Sequence, residues 1–269
     1  MDDEENSANR MSKTVAFVGN PNVGKSAIIN LLSSSQLKIG NWSGVTTEKI
    51  ETLYHFENEI YHCIDLLGLY GFNNKSDEER ITQQFVMSEK IDCLVNVVDS
   101  TALMNNLYCT LECRELQIPM IIILNFDDER IKNKINIDIE KLAQHLSIPI
   151  IQMSAYAQNK KELLKKLIQQ QCQCHVIYHP LLDISSDRLF CDLCNMNHLD
   201  VKSGIMLFKQ QYSDLVINNR MSTIRSLGKY ITMQKEGTHK IDDFILHRFL
   251  AYPIALCIFG TACIISICY

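Results

Sequence analysis

Residues Gly19-Asn20-Pro21-Asn22-Val23-Gly24-Lys25-Ser26 set two glycines, a lysine and a hydroxyl at the spacing GxxxxGK[ST]. Glycines let successive backbone N–H groups turn toward one point, where they cradle phosphate oxygens. The lysine brings a cation to the β- and γ-phosphates, and the serine hydroxyl offers an oxygen to Mg²⁺. Asp65-Leu66-Leu67-Gly68 reads DxxG: Asp65 can hold Mg²⁺ through water, and the Gly68 N–H can approach a γ-phosphate. Asn125-Phe126-Asp127-Asp128 reads NxxD, and the Asp128 carboxylate can accept from both the N1–H and the exocyclic amine of guanine. Adenine lacks that pair of donors, so an acceptor placed there would go unpaired and ATP would be rejected. Ser154-Ala155 can complete the base site through a backbone N–H. Each short motif has a bland alternative, an ordinary Asp/Gly turn or a solvated loop carboxylate. The ordered set, in this sequence order, points to GTP and GDP with Mg²⁺.

These loops must be positioned by strands. Residues 14–18 form a short apolar run that ends at the glycine-rich turn, and a helix pattern follows from Lys25. Residues 48–56 and 60–66 read as a hairpin turning at 57–59, and 93–98 and 120–124 as strands buried on both faces. A last strand is expected over 148–153, with helices near 77–90, 103–116, 138–146 and 160–170. Alternating strands and helices predict a mostly parallel sheet flanked by helices, of the Ras-like P-loop type, with each motif at the C-terminal end of a strand. Residues 37–48 read as a switch loop, in which Thr46 closes on Mg²⁺ and the γ-phosphate. Lys25, Thr46 and Gly68 are the candidate catalytic groups. Trp42, the one tryptophan, lies in this loop and reads most plainly as surface packing.

Strand signals fade after residue 175. Residues 187–194 and 206–230 carry helical spacing, which predicts a small helical domain over 176–246. Residues 1–12 begin acidic and polar and read as a frayed, disordered tail. The GTP-binding domain is expected over 13–175. Residues 249–269 contain no charge, and about 20 apolar residues suffice to span a membrane. A transmembrane helix over 247–269 follows, with a buried C-terminal helix as the alternative. Lys240 and Arg248 before it place the N-terminal part in the cytoplasm by the positive-inside tendency.

A net charge of −5 gives no reason to expect nucleic acid as a partner. The 11 cysteines are odd in number and scattered, unlike a secreted disulfide framework, and imply a reducing compartment. Cys172-x-Cys174-His175 and Cys191-x-x-Cys194, with His198 near, have spacing that suits zinc or iron, and equally suits ordinary reduced thiols.

The stretches GNPNVGKS (19–26), IGNWSGVTTE (39–48), DLLGLYGF (65–72), VNVVDSTALMNNLY (95–108), LNFDDE (124–129), MSA (153–155) and KIDDFILHRFLAYPIALCIFG (240–260) resemble the ferrous-iron transport protein B family. The GNWSGVT portion is the most specific of them. The resemblance implies a GTPase domain, a helical domain and an inner-membrane permease for ferrous iron, with the first two parts in the cytoplasm. It places a K⁺ ion beside the phosphates, held by Asn22 and by carbonyls of Gly40 and Trp42. Lys25 and Ser26 match its phosphate and Mg²⁺ positions, Thr46 its switch threonine, and Asn125 and Asp128 its guanine readers. The family usually has proline at the position of Leu67 and a hydroxyl residue at that of Leu69. Leu69 also stands where Ras-type enzymes orient water with glutamine, so slow intrinsic hydrolysis is expected. One membrane helix cannot enclose an ion path, so the remaining transmembrane region or a separate permease subunit is the implied partner, with a homo-oligomer possible. The alternative is a stand-alone regulatory GTPase that binds a protein or ribosomal partner.

Overall fold

The structure, a computed structural model, describes residues 12–33, 38–42, 48–71, 76–154, 158–174, 204, 207, 208 and 211–233. The chain divides into two units, Met1–Thr232 and Met233–Tyr269, and Met233 is the only described residue of the second.

In chain order the elements are β1 (Lys13–Val18), α1 (Lys25–Leu32), β2 (Lys38–Asn41), β3 (Glu48–Phe56), β4 (Glu59–Asp65), α2 (Asp77–Ser88), β5 (Cys93–Asp99) and α3 (Leu103–Glu115). There follow β6 (Met120–Asn125), α4 (Asp127–Lys132), β7 (Ile135–Ile137), α5 (Ile139–Leu146), β8 (Ile150–Gln152), α6 (Lys161–Cys172), α7 (Ser213–Leu227) and β9 (Ile231–Met233). Seven strands form one sheet in the order β2-β3-β4-β1-β5-β6-β8, and β7 pairs with β9 apart from it. The hairpin β3–β4 and the edge pair β2–β3 are antiparallel, while β4, β1, β5, β6 and β8 run parallel. The parallel strands therefore end on one edge, and their following loops share it.

Alternation along β1 splits the core in two. Val15 and Phe17 join Ile28, Ile29 and Leu32 of α1 and Leu164 and Ile168 of α6 on one face. Ala16 and Val18 join Val86 of α2, Leu107 and Leu111 of α3, and Leu142 and Leu146 of α5 on the other. Strands covered on both faces must be apolar throughout, which is why β5 and β6 are nearly continuous hydrophobic runs. The Ser76 hydroxyl accepts from the Glu79 N–H at 3.1 Å and caps α2, whose first turn is acidic. Asp138 caps α5 in the same way.

The expected strands and helices of residues 13–172 are present, and the structure adds to and corrects the sequence reading at several points. Lys38–Asn41, read as loop, is a strand, because register with β3 satisfies its backbone even though its sequence does not alternate. Residues 127–132, read as loop, form α4. The helical stretch expected over 206–230 gives way at Gly228 to a 3-10 turn and then to β9, which pairs with the unforeseen β7. Trp42 is not at the surface: it is 6% exposed and belongs to the core. The helix expected over 187–194 lies outside the described residues. Among the described residues no helix is long and apolar enough to cross a membrane, and residues 249–269 lie outside them.

α7 meets α3 through charge as well as through apolar packing. Arg220, 4% exposed, donates from Nε and Nη2 to the two carboxylate oxygens of Glu115 at 3.0 and 2.5 Å. Its Nη1 donates to Glu112 Oε1 at 2.6 Å and to the Tyr108 hydroxyl at 3.1 Å. Ile224 and Leu227 bury beside this fork in the core that α3 lines.

Candidate functional site

The loop after β1 holds Lys25 from beneath. The Lys25 Nζ donates to the carbonyls of Gly19 at 3.2 Å and Asn20 at 3.1 Å, and the side chain is only 8% exposed. Burial lowers its pKa, against the pull of the Asp65 carboxylate. Gly24 takes a φ of +89°, and a Cβ there would sit 2.3 Å from Asn125 Nδ2, so only glycine fits the end of the loop. Asn22 is exposed at a φ of 63°, a left-handed conformation that asparagine tolerates.

At the end of β4, Asp65 Oδ2 accepts from the Ser26 hydroxyl at 2.5 Å, while its buried Oδ1 has no partner among the described residues. Burial raises the Asp65 pKa, with the Ser26 hydrogen bond and the Lys25 cation pulling the other way. A buried carboxylate with a free oxygen beside a serine hydroxyl is a hard-oxygen pair that suits Mg²⁺. Gly68 lies against the phosphate loop, and a Cβ there would meet Pro21 Cα, Cγ and N at 3.0 Å each. Leu69 is fully buried, and its N–H donates to the Gly19 carbonyl at 3.2 Å. The position after Gly68 therefore turns its side chain into the core and presents nothing to water.

The end of β6 is tied to the same loop. The Asn125 Nδ2 donates to the Val23 carbonyl at 2.9 Å, while its Oδ1, fully buried, has no partner among the described residues. Phe126 at a φ of 60° then starts α4, whose first turn carries Asp128 exposed. Asn125 thus positions the loop after β6 against the phosphate loop, and Asp128 stands exposed beside it. Ser154 follows β8, and the Met153 N–H donates to the Leu124 carbonyl at 3.0 Å, which sets this loop beside the NxxD loop.

The structure thus gathers Gly19, Asn20, Pro21, Asn22, Val23, Gly24, Lys25, Ser26, Asp65, Gly68, Asn125, Asp128 and Ser154 at the C-terminal edge of the parallel strands. Gly40 belongs to edge strand β2 and Trp42 follows it. Thr46 and Ala155 lie outside the described residues. Of the cysteine set, Cys172 is half-buried and Cys174 exposed, and the others are not described. Among the described residues no group of three metal-binding side chains comes together. Sequence reasoning did not foresee the staple from Asn125 to Val23, nor the Thr82 hydroxyl that donates to the Leu67 carbonyl at 3.3 Å and fixes the DxxG loop to α2. A threonine on a helix face carries no spacing signal by which to find it.

Such an edge is built to take a guanine nucleotide, and the class of protein is the Ras-like P-loop GTP-binding domain. The family profile described as "Ferrous iron transport protein B" matches residues 13–168. The Fe(2+) transporter FeoB of Campylobacter jejuni is 32% identical over 242 residues, covering 90% of this chain and 36% of its own length. That of Helicobacter pylori strain J99 is 40% identical over 239 residues, covering 87% and 34% respectively. The solved cytosolic domain of L. pneumophila FeoB aligns with a TM-score of 0.73 at 25% identity, covering 82% of this chain and all of that one. The chain belongs to the ferrous iron transport protein B family. It spans about a third of the length of the curated relatives it matches. Family membership favours a transporter G domain over a stand-alone regulatory GTPase.

Proposed function

We propose that this chain is the GTP-binding and GTP-hydrolysing module of a ferrous-iron uptake system, gating or driving Fe²⁺ passage across the inner membrane. The observation that carries the reading is the buried Asp65, half satisfied by Ser26 and half free, beside the buried Lys25. Neither buried charge is fully compensated by the protein, and a nucleotide phosphate with its divalent ion supplies what both lack. Mg²⁺ would be held by Ser26, by Asp65 through water and by Thr46, and would neutralise charge on the phosphates. Lys25, the Gly68 N–H and Thr46 act on the γ-phosphate, and Asp128 selects guanine with the loop at Ser154 and Ala155. Asn22 with the carbonyls of Gly40 and Trp42 offers oxygen donors to K⁺, which would supply positive charge between the phosphates as an arginine finger does. Leu69 cannot orient water, so hydrolysis is slow without K⁺. A helical domain over 176–246 and a transmembrane helix over 247–269 connect the module to the remaining transmembrane region or to a separate permease subunit.

The test is GTP hydrolysis by the full chain in potassium against sodium, with ATP as control. The expected result is GTP-selective turnover that potassium accelerates. Equal rates in the two salts would remove the K⁺ site, and equal use of ATP would remove the role given to Asp128.

A further inference from the structure

Trp42 and Phe85 come from different parts of the chain, one beside β2 and the other on the helix after the DxxG loop. Trp42 directly follows edge strand β2, four positions before Thr46 in the sequence. Phe85 is on α2, the helix that follows the DxxG loop. Their rings meet edge to face, with centroids 5.4 Å apart and planes at 85°. The Lys49 ammonium, from β3, lies 5.1 Å from the Trp42 ring and 5.6 Å from that of Phe85. Lys49 is held in turn by Glu51 and faces Gly40 in the strand register. The indole Nε1 is buried and has no acceptor among the described residues, so ring contacts rather than a hydrogen bond hold this side chain.

β2 is four residues long and pairs on one side only. So short an edge strand is weakly held by its ladder alone, and Trp42 is the side chain that anchors its end in the core. An edge-on aromatic pair has a preferred geometry, and a cation lying against both rings strengthens it. The backbone at Trp42 is thus set by a residue of α2, and α2 is set by the DxxG loop through Thr82.

We infer that Phe85 is a positioning residue for GTP hydrolysis: its ring, with Lys49, fixes Trp42 and so couples the β2 end to the helix after Asp65–Gly68. The inference rests on the GTPase reading. Phe85 touches no nucleotide; it acts through Trp42, so it affects turnover and leaves nucleotide affinity alone.

The sole tryptophan is its own reporter. In the full chain with Mg²⁺, Trp42 emission is followed as GDP is exchanged for a non-hydrolysable GTP analogue, and kcat and KM for GTP are measured. Phe85→Leu keeps an apolar side chain in the core and removes the ring edge, and Phe85→Tyr keeps the ring. Phe85→Leu is expected to lower kcat about tenfold, a loss of ~1.4 kcal/mol of transition-state stabilisation. KM and GDP affinity should stay within about twofold, and the nucleotide-dependent change in Trp42 emission should be lost. Phe85→Tyr should restore both. An unchanged kcat, or an emission change that persists in Phe85→Leu, overturns the coupling. A rise in KM with kcat intact overturns it too, since it would place Phe85 in nucleotide binding. Wild-type protein that turns over no GTP would overturn the GTPase reading and this inference with it, and that failure shows in the wild type rather than in the variants.

Discussion

The nucleotide edge of the sheet and the α3–α7 seam both bury charge, and they do so in opposite ways. At the seam, Arg220 spends its Nε, Nη1 and Nη2 donors on Glu112, Glu115 and Tyr108, all at hydrogen-bonding distance. At the edge, Asp65 Oδ1, Asn20 Oδ1 and Asn125 Oδ1 are buried without partners among the described residues. Desolvation is costly in both places. The seam offsets the cost inside the protein, and the result is a joint. The edge leaves it open, and the result is an affinity for something that brings the missing partners. The paired Arg220 belongs to structure, and the half-satisfied Asp65 belongs to the edge where the nucleotide motifs gather.

Substitutions can break that contrast. The largest effect is expected at Asp128, which carries no core packing and should matter only to ligand. Asp128→Asn replaces a charged acceptor of two hydrogen bonds, each worth about 1.5–3 kcal/mol. GTP affinity should fall by about 3–6 kcal/mol with preference moving toward xanthosine triphosphate, and unfolding should be unaltered; competition binding against both nucleotides checks it. Arg220→Ala should do the reverse. It removes the cation that Glu112, 1% exposed, and Glu115 both hold, and should cost about 3–5 kcal/mol in denaturant unfolding while nucleotide affinity in the folded protein holds. If Arg220→Ala instead weakens GTP binding and spares stability, the seam is part of the site and the contrast fails.

Asp65→Asn sharpens the comparison, because the two regions should then respond with opposite signs. It removes an incompletely compensated buried charge while leaving an oxygen for Ser26, so nucleotide-free protein should gain about 1–3 kcal/mol. Magnesium-dependent GTP affinity should fall in the same variant. Thermal unfolding with and without Mg²⁺ and nucleotide separates the two effects. Asn22 gives the smallest effect on the fold. Asn22→Ala would confound loss of a K⁺ donor with left-handed strain of about 1–2 kcal/mol, since φ there is 63°. Asn22→Gly removes the same donor without that strain and should abolish potassium stimulation of hydrolysis with GDP affinity unchanged. A potassium response equal to wild type would move the cation site elsewhere.

Much of this was readable before any coordinates. Unbroken apolar runs place β5 and β6 because strands covered on both faces need them, the turn between β3 and β4 places that hairpin, and the short apolar run of β1 is legible with the phosphate loop, whose backbone demands glycine. Lys38–Asn41 and Ile135–Ile137 were not legible as strands. Both are short, and both owe their conformation to a partner strand, the next one in the chain for Lys38–Asn41 and the distant β9 for Ile135–Ile137. Trp42 misled for the same reason: polar and glycine neighbours suggest exposure, and burial comes from α2, dozens of residues later.

By itself the sequence determined which groups could do chemistry and in what order they occur along the chain, because residue type and local spacing set donors, acceptors and backbone freedom. Only the tertiary structure decided which of them are paired. It turns Asn125 into a staple on Val23, leaves Asp65 half satisfied, directs Leu69 into the core and closes Glu112 and Glu115 on Arg220. Pairing depends on distance between residues as many as 112 positions apart, and only folding sets that distance.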